Sequence, residues 1–139
     1  SDQPRLAALA RDLGVAGAVL FTGQLSAATL AALYERAAVF TLPSRVEGFG
    51  LVFVEAMRAG KPCVALAGTA PAEIVVDGET GLHAADAEPA TLASALAWLL
   101  ANPDEAARLG EAGRARYLAE FTAEAFAARL WPHLDALLA

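Results

Sequence analysis

Pro43-Ser-Arg-Val-Glu-Gly-Phe-Gly-Leu-Val-Phe-Val-Glu-Ala-Met57 is the stretch on which the fold of this chain depends. Its pattern predicts the end of a buried strand, a short loop with two glycines, and then a helix. Gly48 and Gly50 let the loop backbone approach a ligand closely, and a helix that opens at about Gly50 presents unpaired N–H groups. Such groups bind a phosphate or diphosphate without a lysine. The stretch therefore predicts an anion-binding corner.

Two carboxylates, Glu47 and Glu55, lie eight positions apart in this stretch. A carboxylate accepts two hydrogen bonds from neighbouring hydroxyls, which suits a ribose or a hexose. Beside a diphosphate, both carboxylates make chemical sense only if they hold hydroxyls. The alternative is that Glu47 caps the helix and Glu55 is a solvated helix residue. The spacing alone leaves both interpretations open.

Short apolar runs alternate with helical patterns along the chain, which predicts a parallel sheet with helical crossovers. The predicted strands are Ala18–Gly23, Ala38–Pro43, Pro62–Ala67 and residues 80–85. The expected fold class is α/β, a Rossmann-like three-layer α/β/α arrangement followed by C-terminal helices. Ligands in such sheets bind beyond the carboxyl ends of the strands, where the loop from Ser44 to Gly50 lies.

Three further expectations concern side chains in the C-terminal half. Trp98 and Trp131 have helical spacing among leucines, which predicts core packing. Pro132 is expected to kink or split the last helix near Trp131. His83 is interpreted as a strand or loop residue rather than a catalytic base, because no acidic partner can be placed beside it.

Composition narrows the class of protein. At 139 residues the chain fits a single domain, 1–139, and its formal charge of −6 argues against nucleic acid as a partner.

The single cysteine, Cys63, is predicted to be a small buried hydrophobe, and a cytoplasmic location is the default. No ligand set for a metal is visible. No apolar run approaches a membrane span, and no leader is visible. Because the chain opens on a helix with no strand before it, we expect a fragment of a larger protein.

Several motifs in the right order carry a family resemblance. Residues 43–62, Pro-Ser-Arg-x-Glu-Gly-Phe-Gly-Leu-Val-x-Val-Glu-Ala-Met-x-x-Gly-Lys-Pro, closely resemble the E-x7-E signature of retaining, family 4 nucleotide-sugar glycosyltransferases of the GT-B fold. Further matches are Phe21–Leu25, Leu33–Phe40 and Pro71–Leu82. The resemblance covers nearly all of the chain and implies a truncated C-terminal, donor-binding domain of such an enzyme.

The resemblance also implies roles for individual residues. Glu47 corresponds to the catalytic carboxylate that contacts the donor sugar, and Glu55 to the one that holds the ribose hydroxyls. The donor-binding backbone amides map onto Gly48, Phe49, Gly50 and Leu51, and the loop against the base onto Gly23, Gln24 and Leu25. Transfer in the family proceeds with retention and without a metal or other cofactor.

Departures from the family pattern shape the expected partners. The arginine and lysine that grip the diphosphate lie in an earlier segment of the family, so neither Arg45 nor Lys61 maps onto them. Arg45 is interpreted as a solvated loop residue, and the alternative is a partial substitute for that pair. The acceptor-binding N-terminal domain is also missing, which predicts that the fragment alone is inactive. The implied partners are a UDP-, GDP- or ADP-sugar and that missing domain, and any peripheral membrane association would come through the missing part. The alternatives are a GT-B-like epimerase or phosphorylase domain and a non-catalytic α/β interaction domain.

Overall fold

A computed structural model describes residues 2–138, and the chain divides into two compact units, Ser1–Leu30 and Ala31–Ala139. The first unit contains helix α1 (Gln3–Asp12), a 3₁₀ turn (Ala16–Ala18) and the beginning of helix α2 (Ala27–Arg36). Ser26 caps α2, because its hydroxyl accepts a hydrogen bond from the N–H of Thr29 at 3.2 Å.

The predicted strand at Ala18–Gly23 is wrong. Among residues 2–138, this segment forms the end of the 3₁₀ turn and a loop, and no strand pairs with it. An apolar run becomes a strand only when a neighbouring strand takes up its backbone hydrogen bonds, and periodicity within one segment carries no information about that neighbour.

The second unit is built on a parallel sheet of three strands in the order β1-β2-β3. The strands are β1 (Phe40–Thr41), β2 (Cys63–Leu66) and β3 (Gly81–Ala84), with helices α3 (Leu51–Arg58) and α4 (Pro71–Ile74) in the connections. Phe40 pairs with Cys63, and Cys63 pairs with Gly81. Three of the four predicted strands are therefore present, although β1 is shorter than predicted.

The side chains of β2 divide the core into two layers, because successive residues of a strand point to opposite faces. Cys63 and Ala65 belong to a buried cluster that includes Phe53 and Met57 of α3. Val64 belongs to a second buried cluster on the other face, with Leu99 and Leu109 of the C-terminal helices. The predicted three-layer α/β/α arrangement is confirmed in this unit.

The C-terminal region consists of α5 (Pro89–Ala101), α6 (Pro103–Arg116), a π-helical turn (Tyr117–Phe121) and α7 (Ala123–Leu138). The hydroxyl of Thr122 caps α7 by accepting a hydrogen bond from the N–H of Ala125 at 3.1 Å. Among residues 2–138, no helix is long and apolar enough to cross a membrane.

α7 runs through Pro132 without being split, because a single proline removes one helical hydrogen bond and the turns on either side retain theirs. The other expected effect of Pro132, a kink near Trp131, stays a prediction. The expectation of core packing is wrong for Trp98 and Trp131, which are 44 % and 60 % exposed. Helical spacing among leucines identifies an apolar face, but it does not say whether another element covers that face.

The segment Pro71–Leu82 is tied together by side-chain hydrogen bonds to the backbone. The buried hydroxyl of Thr80 accepts from the N–H of Val76 at 2.8 Å, and the carboxylate of Asp77 accepts from the N–H of His83 at 2.7 Å. The imidazole Nε2 of His83 lies 2.7 Å from the carbonyl oxygen of Val75. His83 is thus a residue of β3, as predicted, with a structural partner for its ring.

Candidate functional site

The loop from Ser44 to Gly50 joins β1 to α3 at the carboxyl edge of the parallel sheet. The hydroxyl of Ser44 donates to the carbonyl oxygen of Val46 at 3.1 Å, which forms a tight turn at the start of the loop. Glu47 follows and is half-buried, whereas Val46 is 92 % exposed. The loop therefore places one half-buried carboxylate at the edge where ligands of α/β sheets bind.

Gly50 is the N-cap residue of α3 and has a left-handed conformation, with φ of +93°. A side chain at this position would be strained, and its Cβ would also come within 3.0 Å of Cγ of Pro71 in α4. The loops that follow β1 and β2 therefore meet at Gly50 and Pro71. Only glycine satisfies both the backbone angle and the close approach.

The first turn of α3 opens towards this loop. Phe53 donates its N–H to the carbonyl oxygen of Gly50 at 2.9 Å, and the N-cap residue supplies no side-chain cap. In a helix the N–H groups of the residues before this one, Leu51 and Val52, have no intrahelical partner. They are the groups that hydrogen-bond an anion at a helix N-terminus. The cap position belongs to Gly50 and not to Glu47.

Glu55 lies one turn further along α3, half-buried beside Tyr34 of α2. The phenol of Tyr34 donates to the carbonyl oxygen of Val52 at 3.4 Å. Burial, reinforced by the adjacent Glu55 carboxylate, raises the pKa of Tyr34 to about 12. Glu55 also lines a cavity of about 270 Å³ together with Tyr34 and Arg58. It is therefore not the freely solvated helix residue of the alternative interpretation.

The loop also borders an apolar groove of about 490 Å³. Phe49 and Leu51, which are 49 % and 66 % exposed, form one wall of this groove, and Phe121 and Phe126 contribute to the opposite wall. The ring of Phe49 packs edge-on against that of Phe121, with centroids 6.4 Å apart. Contacts from the C-terminal region thus reach the loop from Ser44 to Gly50 directly.

The predicted base-loop residues Gly23, Gln24 and Leu25 belong to the first unit, in the loop that precedes α2, where Gly23 has a φ of +61°. Their role against a nucleotide base stays a prediction. Glu47, Gly48, Phe49, Gly50, Leu51 and Glu55 are all in the second unit, within the β1–α3 connection and the first two turns of α3.

The two basic residues near the motif, Arg45 and Lys61, lie at opposite edges of the sheet. Lys61 precedes β2 and lines a cavity with Pro62 and Leu100, at the amino edge of the sheet. Arg45 is exposed and lies near Asp86. The pKa of the Asp86 carboxyl is lowered by hydrogen bonds from Thr91 and from the N–H of Glu88, and to a smaller extent by the charge of Arg45. Among residues 2–138, no cluster of His, Cys, Asp or Glu side chains could hold a metal ion.

Sequence reasoning missed three residues of the site. Tyr34 contacts the Glu55 region from α2, Pro71 contacts Gly50 from α4, and Phe121 contacts Phe49 from the π-helical turn. Each lies more than 15 positions from its partner along the chain. No local pattern signals such a contact, although Tyr34 and Pro71 lie inside segments that resemble the family and Phe121 does not.

Comparisons with known proteins agree on one family. The family described as "Glycosyl transferases group 1" matches residues 1–116. The GDP-mannose-dependent alpha-(1-6)-phosphatidylinositol monomannoside mannosyltransferase of Mycolicibacterium smegmatis is 42% identical over an alignment of 114 residues, and the match covers 76% of this chain and 30% of that protein. The D-inositol 3-phosphate glycosyltransferase of Acidothermus cellulolyticus is 41% identical over 100 residues, 72% of this chain and 22% of that protein.

Among solved structures, sucrose-phosphate synthase from Thermosynechococcus elongatus has a TM-score of 0.88 at 35% identity, over 99% of this chain and 34% of that one. Anabaena HepE in complex with UDP has a TM-score of 0.88 at 24% identity, over 97% and 38% of the two chains, which shows a shared fold. The chain spans a third or less of the length of the curated relatives described here.

Proposed function

The chain belongs to the group 1 glycosyl transferases, and on that premise we propose that it is the donor-binding part of a retaining enzyme. The proposed reaction transfers a sugar from a nucleoside-diphosphate sugar to an acceptor hydroxyl. The proposed donor-binding region is one domain, 1–139. The relatives reported above are named as transferases or as a synthase, so they lend no support to an epimerase, a phosphorylase or a non-catalytic interaction domain.

One arrangement carries this proposal: an uncapped helix N-terminus between two carboxylates at the carboxyl edge of a parallel sheet. Gly50 opens α3 so that the N–H groups of Leu51 and Val52 face the loop. Glu47 lies before these amides and Glu55 one turn after them. A diphosphate suits the amides, and a carboxylate on either side suits hydroxyls, which is the order of groups in a nucleoside-diphosphate sugar.

In the proposed reaction, the bond between the anomeric carbon and the diphosphate oxygen breaks, and the leaving diphosphate keeps the electron pair. The acceptor oxygen forms its bond to the anomeric carbon on the same face, and its proton passes to the departing diphosphate. The amides at the start of α3 stabilise the charge that develops on the diphosphate. Glu47 holds hydroxyls of the donor sugar and Glu55 those of the ribose.

The choice of nucleotide and the remaining partners are also proposals. The Mycolicibacterium relative is named as GDP-mannose-dependent and HepE is described in complex with UDP, so both nucleotides, together with ADP, belong in the first titration. We propose that the acceptor binds to a second domain, that the chain alone does not catalyse transfer, and that the enzyme acts in the cytoplasm. The proposed reaction requires no metal ion and no cofactor besides the donor.

Titration of the chain with UDP, GDP and ADP, followed by amide chemical shifts, tests the proposal. We expect one nucleotide to shift the amides of Glu47–Glu55 and, if the predicted base loop is correct, those of Gly23–Leu25. Glu55→Gln should abolish most of the response, and Glu79→Gln, an exposed carboxylate in the turn before β3, should leave it intact. No response to any of the three at millimolar concentration would contradict a donor site in this chain.

A further inference from the structure

Arg116, the last residue of α6, is held in an unusual way for a surface arginine. Its Nη2 donates to the carbonyl oxygen of Glu73 in α4 at 3.2 Å and lies 3.4 Å from the carboxylate of Glu120. Its Nε is buried without a hydrogen-bond partner, and its guanidinium lies 5.9 Å from the ring centroid of Phe121. The side chain therefore lies between α4 and the ring of Phe121 with its Nε–H left without a hydrogen bond.

The π-helical turn explains how this arginine reaches Phe121. In an α-helix, side chains four positions apart lie above one another, whereas π-helical hydrogen bonds join residues five positions apart. Arg116 directly precedes the turn Tyr117–Phe121, and Phe121, five positions further on, is the last residue of that turn. Continuing α6 as a regular α-helix would turn Phe121 away from the guanidinium.

Phe121 contacts the loop from Ser44 to Gly50 through Phe49. Its ring packs edge-on against Phe49 at 6.4 Å with an angle of 73° between the planes. Phe121 also packs against the buried cluster that contains Phe53 and Met57 of α3, so it is anchored to the core. The loop residue Phe49, by contrast, is half exposed, and its ring packs against the ring of Phe121.

The contacts of Gly50 and Phe49 hold the loop from Ser44 to Gly50 on two sides, and Arg116 connects those two sides. On one side Gly50 abuts Pro71 at the start of α4, and on the other side Phe49 abuts Phe121. Arg116 connects the two sides, because it stacks over Phe121 and binds the carbonyl oxygen of Glu73 in the same short helix α4. We propose that Arg116 and Phe121 are positioning residues that hold the loop from Ser44 to Gly50 in its donor-binding conformation. The proposal rests on the donor site proposed above.

The loop needs an external support. It contains two glycines and a hydrogen bond from the hydroxyl of Ser44 to the carbonyl oxygen of Val46, and α3 lacks a side-chain cap at its N-terminus. A loop of this kind loses conformational entropy when it orders on a ligand, and a support that orders it beforehand removes part of that cost. Losing one edge-to-face aromatic contact should therefore speed the opening of the loop about 2- to 10-fold.

Hydrogen exchange of the unliganded full chain tests the proposal independently of any ligand. The two readouts are the amides of residues 44–53 and those of β2 as an internal reference for global opening. Phe121→Leu should accelerate exchange in the loop relative to β2, and Phe121→Tyr, which keeps the ring, should restore the parent rate. Leu118→Ala, an exposed change in the same turn, is the matched control. In a Phe49→Leu background, Phe121→Leu should add nothing to loop exchange.

The proposal is overturned if Phe121→Leu leaves loop exchange at the parent rate, or if its effect persists unchanged in the Phe49→Leu background. If Phe121→Leu accelerates β2 equally, Arg116→Lys decides, since it keeps the charge beside Glu120 but loses the planar group over the ring. A parent-like loop in Arg116→Lys then overturns the proposal, and a loop that opens faster than β2 supports it. Failure of every nucleotide to bind, with these exchange differences intact, would instead contradict the donor site and leave the positioning contacts standing.

Discussion

Gly50 and Pro71 lie in contact where the loops after β1 and β2 come together, so that an added Cβ on Gly50 would reach within 3.0 Å of Cγ of Pro71. This contact links the N-terminus of α3 to α4, and it explains why the first amides of α3 are presented at a defined place on the sheet edge. Two of the connections in the sheet thereby contribute to one site, although only the first carries the carboxylates.

Replacing Gly50 by alanine should destabilise the chain and weaken nucleotide binding. The change strains a residue with φ of +93° and pushes a methyl group against Pro71, for a combined cost of about 2–4 kcal/mol in the free energy of unfolding. Gly68→Ala is the matched control, since Gly68 has φ of +70° but no atom within 4 Å of the added Cβ. Urea unfolding should give a clearly smaller loss for Gly68→Ala. Equal losses would show that the contact with Pro71 is unimportant.

Glu55→Gln should weaken binding of the preferred nucleotide by tenfold or more, because a charged acceptor contributes about 1.5–3 kcal/mol to a hydrogen bond. The loss should come from the ribose. A 2′,3′-dideoxy nucleotide lacks the hydroxyls, so calorimetric titration should give nearly the same affinity for it with the parent chain and with Glu55→Gln. Should the variant lose affinity for both ligands equally, Glu55 would contact some other part of the nucleotide.

How far the sequence predicted this structure depends on the range of the contacts involved. The β1–α3 stretch was predictable because strand, glycine loop and helix follow one another locally and each leaves its own pattern. β2 and β3 were found for the same reason. The strand expected at Ala18–Gly23 was not found, since pairing depends on a partner outside the segment. The exposure of Trp98 and Trp131 could likewise not be predicted, because a leucine-rich helix face has the same sequence pattern whether another element covers it or not.

The same distinction between local patterns and contacts from distant parts of the chain applies to the candidate site. The predicted roles of Glu47, Glu55 and the amides near Gly50 came from spacing and family resemblance and stay predictions; the structure places these residues in the β1–α3 connection and in α3. The contacts that support them come from α4 and from the π-helical turn. A π turn depends on one extra residue within an otherwise helical stretch, and nothing in the sequence around Tyr117 marks it as different from a continuous α-helix.

Gly110→Ala should destabilise the chain even though alanine is the better helix former. A Cβ on Gly110 of α6 would collide with the carbonyl oxygen of Gly60, so the helix must move away from the end of α3. The expected loss is about 1–3 kcal/mol after the gain in helix propensity, which is about 1 kcal/mol. Gly113→Ala is the comparison, because its added Cβ would lie 3.4 Å from Cγ of Met57. A thermal midpoint of Gly110→Ala at or above that of Gly113→Ala would contradict the close approach.

Stability should fall as the pH rises above 9, because two buried groups resist losing their protons. Burial raises the pKa of the Cys63 thiol from 9.0 to about 12, and its Sγ donates to the carbonyl oxygen of Lys61 at 3.4 Å. Burial and the Glu55 carboxylate raise the pKa of Tyr34 from 10.0 to about 12. Since the folded pKa values are the higher ones, both contributions are complete below pH 9 and are lost as the pH rises towards 12.

Urea unfolding at intervals between pH 7.5 and 11 measures this dependence. Each group should contribute a slope of at most about 1.4 kcal/mol per pH unit once its unfolded form has titrated. Cys63→Ala should flatten the curve from pH 9 upwards and Tyr34→Phe from pH 10 upwards, whatever each change costs at neutral pH. Tyr117→Phe serves as the control for the loss of a phenol that is only partly buried. If Cys63→Ala retains the full slope between pH 9 and 10, the thiol is not held neutral by the fold, and β2 is less tightly enclosed than its burial indicates.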